Sequence, residues 1–168
     1  MKNKWLYVLC VLVSVLGLLV ACEPYGPDSE NPTSVIIDSI KYTYYLKDAT
    51  SNYATSFNKD SYLIICLDVE NLSSKNLQVA NNKKLGDCYK SSSGKRVEQL
   101  SLEPPEPDTV APLFVQLFPV AIVRKKRVHH LSSIPSGKYY YQAPTETIIN
   151  GRDTIFHKIP LSIKFEIK

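Results

Sequence analysis

The sequence carries little excess charge of either sign. Its 168 residues include 20 Lys and Arg against 16 Asp and Glu, which gives a formal net charge of +4. Lys2 and Lys4 account for two of these bases, so the chain from Cys22 onward has 20 − 2 = 18 basic and 16 acidic residues, or +2. Such a near-balance gives no charge-based reason to expect nucleic acid as a partner.

Sequence motifs of catalysis are also lacking. Ser-x-x-Lys occurs at residues 56–59 and 92–95, but no Ser-Asp-Asn or Lys-Thr-Gly accompanies either copy. His129 and His130 are adjacent, and neighbouring residues on a strand point to opposite faces, so together they make a poor metal site. We therefore expect a non-enzymatic protein without a metal site or a cofactor.

Helical periodicity is the third absence, since no window of the chain shows an apolar stripe at helical spacing. Prolines that would break long helices punctuate the second half, at Pro104, Pro105, Pro107, Pro112, Pro119, Pro135, Pro144 and Pro160. Together, the missing helical stripe and the prolines predict an all-β fold. We expect a single immunoglobulin-like antiparallel β-sandwich of about seven to nine strands over residues 35–168.

Individual strands can be placed from the apolar pattern. Residues 161–167 alternate apolar and polar, as a half-buried strand does, and residues 61–70 form a nearly continuous apolar run that predicts a central strand. Asn150-Gly151 predicts a hairpin on a type I′ turn. Further strands are expected within residues 35–46, 96–102 and 138–143.

The N-terminus is typical of a secretory signal, with two lysines followed by residues 5–21, which contain no charge. Its ending, Leu19-Val20-Ala21-Cys22, resembles the bacterial lipobox, in which the cysteine thiol is acylated and becomes the first residue of the mature protein. This predicts a signal peptide at residues 1–21 and lipidation of Cys22. An uncleaved anchor helix is the alternative.

The residues after the cysteine bear on location. Glu23 follows the cysteine directly. In enterobacterial lipoproteins, which this segment resembles, Asp at that position is associated with retention in the inner membrane. The resemblance therefore implies the outer membrane. Residues 22–34 then predict a lipidated cysteine and a proline-bearing tether, which reaches roughly 35–40 Å when extended. Whether the domain faces the periplasm or the cell surface stays open.

A lipobox, a short tether and one sandwich together resemble the small outer-membrane lipoproteins of Bacteroidetes that carry an immunoglobulin-like domain of unknown function. Residues 62–79 are similar to the strand, polar turn and strand that open many such domains. The resemblance implies a membrane partner through the lipid on Cys22, and a glycan or an envelope protein as a further partner. It implies nothing about the oligomeric state.

Two cysteines, Cys66 and Cys88, remain in the mature chain once Cys22 carries lipid. In an envelope compartment such a pair can form a disulfide. Cys66, however, lies within an apolar run, where a free cysteine packs well as a small hydrophobic residue. Both interpretations stay open from the sequence.

A basic run and a tyrosine group are the candidate ligand-binding residues. Arg124, Lys125, Lys126 and Arg127 are consecutive, and they predict either a solvated turn or charged edge strand, or a contact for anionic headgroups and acidic glycans. Tyr139 and Tyr141 would share one face of a strand, where they could stack on sugars; the alternative is that tyrosine is simply a favoured strand residue.

Three tripeptides of the form Asp-Ser/Thr-aliphatic resemble the acceptor of Bacteroidetes protein O-glycosylation, which implies modification at Ser39, Thr109 or Thr154. Taken together, these features predict an outer-membrane lipoprotein that acts as a binding, adhesion or accessory module. The second hypothesis is a periplasmic carrier of a small molecule or glycan, with a cavity inside a β-barrel.

Overall fold

The structure, a computed structural model, describes residues 31–81, 84–101 and 113–168. The signal segment, the lipidation site Cys22, most of the tether and Thr109 lie outside the described residues. Within them the chain forms one short helix, α1 (Glu98–Ser101), and twelve strands: β1 (Thr33–Ile37), β2 (Ile40–Lys47), β3 (Ser56–Phe57), β4 (Tyr62–Asn71), β5 (Leu77–Ala80), β6 (Asp87–Lys90), β7 (Phe114–Leu117), β8 (Ile122–His130), β9 (Gly137–Gln142), β10 (Thr145–Asn150), β11 (Asp153–Lys158) and β12 (Ser162–Ile167).

The strands form three sheets of four. The first sheet has the order β1-β2-β4-β8, the second β11-β10-β5-β7 and the third β3-β12-β9-β6. The pairings are antiparallel except that between β12 and β3, which is parallel. Inward side chains of the first sheet contact both of the others, through Tyr42 and His157, Lys125 and Glu146, and His129 and Tyr141. The expected all-β sandwich is thus confirmed.

The longest strands form where the sequence pattern is strongest. β4 pairs with β2 on one side and β8 on the other, and Ile65, Cys66 and Leu67 at its middle are all buried, as a central strand requires. β12 alternates, with Ile163, Phe165 and Ile167 facing the core.

β1 and β2 form a hairpin whose two-residue turn is Asp38-Ser39. Ile37 pairs with Ile40 across the turn, and the φ angles of Asp38 and Ser39 are 47° and 63°. Positive φ at both central residues is the requirement of a type I′ turn, which matches the twist of the flanking strands. The hairpin runs over residues 33–47, so the sandwich begins two residues before the boundary expected from the sequence.

One continuous core joins the three sheets. Tyrosine contributes to it beside the aliphatic residues, because Tyr42, Tyr44, Tyr139 and Tyr141 are all fully buried. The hydroxyl of Tyr44 donates to the carbonyl of Leu85 at 2.6 Å. Buried hydroxyls with protein acceptors cost little to bury, so the rings can be packed as large apolar groups.

The structure corrects three expectations about the elements. The described residues form twelve strands rather than seven to nine, because β3, β5, β6 and β7 have four residues or fewer and are too short to show a period. The sequence predicts a strand over residues 96–102, but the described part of it, residues 96–101, contains α1 and an isolated bridge at Arg96. The β10–β11 hairpin is present, yet its two-residue loop is Gly151-Arg152, with positive φ at Gly151 alone.

Candidate functional site

The basic run at residues 124–127 lies on β8, which is an edge strand of the first sheet. Because successive side chains on a strand point to opposite faces, the run is divided. Arg124 and Lys126 are exposed on the outer face, whereas Lys125 and Arg127 are buried against the core. The four residues therefore do not form one basic surface.

Arg124 is neutralised on the outer face. Its Nε and Nη2 donate to the two carboxylate oxygens of Asp68 on β4, at 2.8 and 2.7 Å. These hydrogen bonds and the carboxylate charge raise the pKa of Arg124. Lys126, the next outward base, lies in register with Cys66.

Lys125 on β8 forms an ion pair with Glu146 on β10, between the two layers. Its Nζ lies 2.5 Å from Oε2 of Glu146 and donates to the carbonyl of Ala80 at 2.8 Å. Burial lowers the pKa of Lys125 and raises the pKa of Glu146, while the attraction between the two charges opposes both shifts. Oε1 of Glu146 is buried without a hydrogen-bond partner among the described residues.

His157 lies beside Glu146 in register on the neighbouring strand, β11. Its Nδ1 is 2.7 Å from the hydroxyl of Tyr42, and its Nε2 is 3.3 Å from Oδ2 of Asp38 in the β1–β2 turn. This resembles a proton-relay arrangement, but Tyr42, Glu146 and His157 are all buried. The contact between Tyr42 and His157 connects β2 of the first sheet to β11 of the second.

Tyr139 and Tyr141 do not line a ligand face, which corrects the expectation from the sequence. Both side chains point into the core, where they donate to the carbonyls of Pro135 and Leu100 at 2.5 and 3.1 Å. Tyr139 and Tyr141 do share one face of β9, as alternation predicts, but that face points into the core. Tyr140 points the other way and stacks on Tyr89, with 5.2 Å between ring centroids.

Cys66 and Cys88 are both free and both buried. Cys66 lies on β4 of the first sheet, on the outer side, next to Tyr45 and Asp68, while Cys88 lies on β6 of the third sheet, within the core. The disulfide alternative is therefore not realised, because the two side chains belong to different sheets and opposite sides of the first one. Burial raises the pKa of both thiols.

Two of the three glycosylation candidates, Ser39 and Thr154, belong to the described residues, and both lie where a modifying enzyme could reach them. Ser39 is exposed in the β1–β2 turn, and Thr154 is exposed on the edge strand β11.

An aromatic and basic surface covers one corner of the outer face of the first sheet. We call it the tether-end patch, and it consists of Lys47, Tyr53, Tyr62, Val128 and His130. The Nζ of Lys47 lies 5.2 Å from the ring centroid of Tyr53, and the rings of Tyr62 and His130 are 4.8 Å apart. Ile64 joins the two halves, because it pairs with Lys47 on one side and with Val128 on the other.

Loops at the other end of the first sheet expose large apolar side chains. We call this surface the distal end, and it consists of Leu72, Phe118, Val120 and Ile122. Their exposed fractions are 44, 55, 80 and 54%. Val120 has a φ of 56°, a conformation that a β-branched residue rarely adopts.

Asn71 fixes the loops of the distal end. Its side-chain amide is fully buried and donates to the carbonyls of Lys75 and Leu117, while its Oδ1 accepts hydrogen bonds from Ser73. The backbone N–H of Val120 donates to the carbonyl of Asn71 at 2.8 Å. One buried amide thus positions the β4–β5 and β7–β8 loops together.

Sequence reasoning missed Glu146, His157, Asn71 and both of these surfaces. Each depends on contacts between residues that are distant along the chain. Among residues 31–81, 84–101 and 113–168, no three His, Cys, Asp or Glu side chains are grouped so that they could hold a metal ion. In the same residues, no helix is long and apolar enough to cross a membrane.

No protein-family model matches the chain, and no curated protein matches it. Among the solved structures that match is one described as the X-ray structure of Northeast Structural Genomics Consortium target SoR45. The two sequences are 12% identical, the alignment covers 78% of this chain and 88% of that chain, and the TM-score is 0.45. A similarity of this degree assigns no activity or partner.

Proposed function

We propose that the chain is a non-enzymatic lipoprotein of the outer membrane, anchored through Cys22, and that it binds a partner protein through the distal end. The observation that carries the proposal is the exposure of Leu72, Phe118 and Val120 on loops that Asn71 holds in place, with Ile122 exposed at the start of β8. Exposed apolar groups on a fixed backbone are typical of protein interaction sites.

The strained residue in this surface supports the same proposal. Val120 at a φ of 56° costs about 1–3 kcal/mol, and its side chain gains no burial in return. Such strain persists when the surrounding bonds impose it, and here the imposed geometry presents an apolar side chain to the outside. A partner that covers Val120 would offset that cost.

The binding half can be tested with a photo-crosslinking amino acid at position 120 in intact cells. We expect a discrete protein adduct at position 120 and its loss when Phe118→Ser is added. The matched control is the same cross-linker in place of Phe156, which is 69% exposed on the edge strand β11, away from the loops. Identical adducts at both positions, or none at position 120, would contradict the proposal.

The anchoring half is tested by labelling with radioactive palmitate. We expect label in the unmodified chain and none in Cys22→Ala, which should be released from the membrane fraction. Cys66→Ala is the control, because it removes a thiol that is buried in the folded domain. Equal labelling of the Cys22→Ala variant would rule the anchor out.

The carrier hypothesis stays a prediction that we do not pursue. It relied on tyrosines lining a cavity, and the tyrosines at 44, 139 and 141 instead direct their hydroxyls to backbone carbonyls in the core.

A further inference from the structure

The chain enters the fold beside the tether-end patch. The side-chain amide of Asn31 donates to the carbonyls of Leu46 and Ala54, at 2.9 and 2.8 Å, and its Oδ1 accepts the backbone N–H of Leu46. Leu46 and Ala54 are the sequence neighbours of Lys47 and Tyr53. Asn31, two residues before β1, is therefore bound next to two members of the patch.

The distal end lies at the opposite end of the same sheet. β2 runs from Ile40, next to the β1–β2 turn, to Lys47 in the patch, and its seven residue steps span about 24 Å. Leu72 is at the Ile40 end, because its N–H donates to the carbonyl of Ser39 in that turn. Entry of the chain and the apolar loops therefore mark opposite ends of the molecule.

The chemistry of the patch suits the headgroup layer of a membrane. Tyr53 and Tyr62 are about half exposed, and tyrosine favours the boundary between water and lipid, where its ring and its hydroxyl are both satisfied. Val128 adds an apolar contact of similar exposure. Lysine can place its stem along the apolar surface and its ammonium among phosphates.

The charges around the patch contribute only a modest part of its attraction to an anionic surface. Lys41 and Arg124 on the same face are paired with Glu70 and Asp68. Lys47 is the lysine of the patch, and Asp48 follows it directly in the sequence. The attraction to phosphates is therefore modest, and the aromatic groups must supply much of the affinity.

The reach of the tether keeps this corner near the anchor. Since Asn31 is held by the fold, only residues 23–30 separate it from Cys22, and the nine residue steps between the two span at most about 32 Å. We propose that the tether-end patch rests on the phosphate-bearing headgroups of the membrane that holds the anchor, and so turns the distal end outward. This inference rests on the lipid anchor proposed above.

The orientation can be measured with a single tryptophan. The sequence contains one tryptophan, Trp5, which lies in the segment that cleavage would remove. Tyr53→Trp then places a tryptophan reporter in the tether-end patch, and Phe118→Trp places one in the distal end. The two positions are matched in solvent exposure, because both native side chains are 55% exposed. Each full-length variant, purified with its lipid, is reconstituted in vesicles of brominated phosphatidylglycerol and phosphatidylethanolamine.

We expect bromine to quench the tryptophan at position 53 roughly twofold and the one at position 118 hardly at all, because quenching requires contact with the lipid. Adding Lys47→Gln and Tyr62→Ser to Tyr53→Trp should relieve the quenching. A chain that floats with the vesicles while position 53 stays unquenched, or that is quenched at position 118 instead, overturns the orientation alone. A chain that does not float with the vesicles overturns the anchor itself.

Discussion

Lys125 and Glu146 join the two layers of the sandwich through charges that are almost entirely removed from water. Removal of one partner leaves the other charge buried and uncompensated, which is far more costly than removal of both. We predict that Lys125→Met and Glu146→Leu each lower the free energy of unfolding by about 3–5 kcal/mol. The double variant should be close to the unmodified protein, since its side chains pack against an apolar core.

Urea unfolding of the four proteins in this cycle measures the effect. Lys41→Gln, at an exposed pair with Glu70, is the control and should change the free energy by less than about 1 kcal/mol. Additive losses in the double variant would show that the pair does not act as a unit.

His129 makes the stability depend on pH. Its ring is largely buried beside Tyr141, and burial, aided by the nearby charge of Arg127, lowers the pKa of His129 to about 4. The folded state thus favours the neutral ring, so stability that is present above pH 6.5 is lost as the pH falls from 6.5 toward 4. We expect a loss of up to about 3 kcal/mol over this window.

The comparison with His129→Phe isolates this contribution, because Glu146 and the other buried groups titrate in both proteins. The phenylalanine variant should lose less stability than the unmodified protein between pH 6.5 and 4 in urea unfolding experiments. Parallel pH profiles for the two proteins would assign the dependence to another group.

At the scale of elements, the β4–β5 and β7–β8 loops depend on one buried amide. Asn71→Ala deletes the donors to Lys75 and Leu117 and the acceptor for Ser73, and it leaves buried carbonyls without partners. We predict a loss of about 2–4 kcal/mol in unfolding free energy. Hydrogen exchange should increase most in these two loops, and exchange confined to other elements would contradict the prediction.

The elements that the sequence predicts well are those whose side-chain pattern is local. β4 follows from a continuous apolar run and β12 from strict alternation, so each could be placed within one or two residues. β5, in contrast, is a short strand whose pairing depends on residues that are distant in sequence. Its Val79 aligns with both Ile148 and Val115. No window of sequence contains that information.

The same limit applies to the candidate site. Lys125 and Arg127 look like surface bases in a run of four, and only the pairing of β8 with β4 determines which of the four face inward. Glu146 is 21 residues from its partner in sequence, and the ring of His157 meets Tyr42 across 115 residues. A strand assignment predicts alternation, but the buried side depends on the position of the opposite layer.

At the scale of the whole molecule, buried tyrosines on both layers share one core. Tyr42 and Tyr44 belong to the first sheet, and Tyr139 and Tyr141 belong to the third. We predict a single cooperative transition, in which near-ultraviolet circular dichroism of the tyrosines and the far-ultraviolet signal of the strands change at the same urea concentration. Two separated midpoints would show that the sheets unfold independently.

The hairpin of β1 and β2 has a mechanical consequence. A membrane that pulls on Asn31 and a partner that holds the distal loops would stretch the molecule along β1, whose hydrogen bonds to β2 lie perpendicular to that direction. The five residue pairs from Thr33 to Ile37 would then be sheared together rather than opened one at a time. With the anchor and the partner proposed above, the strand nearest the tether would bear that force in shear.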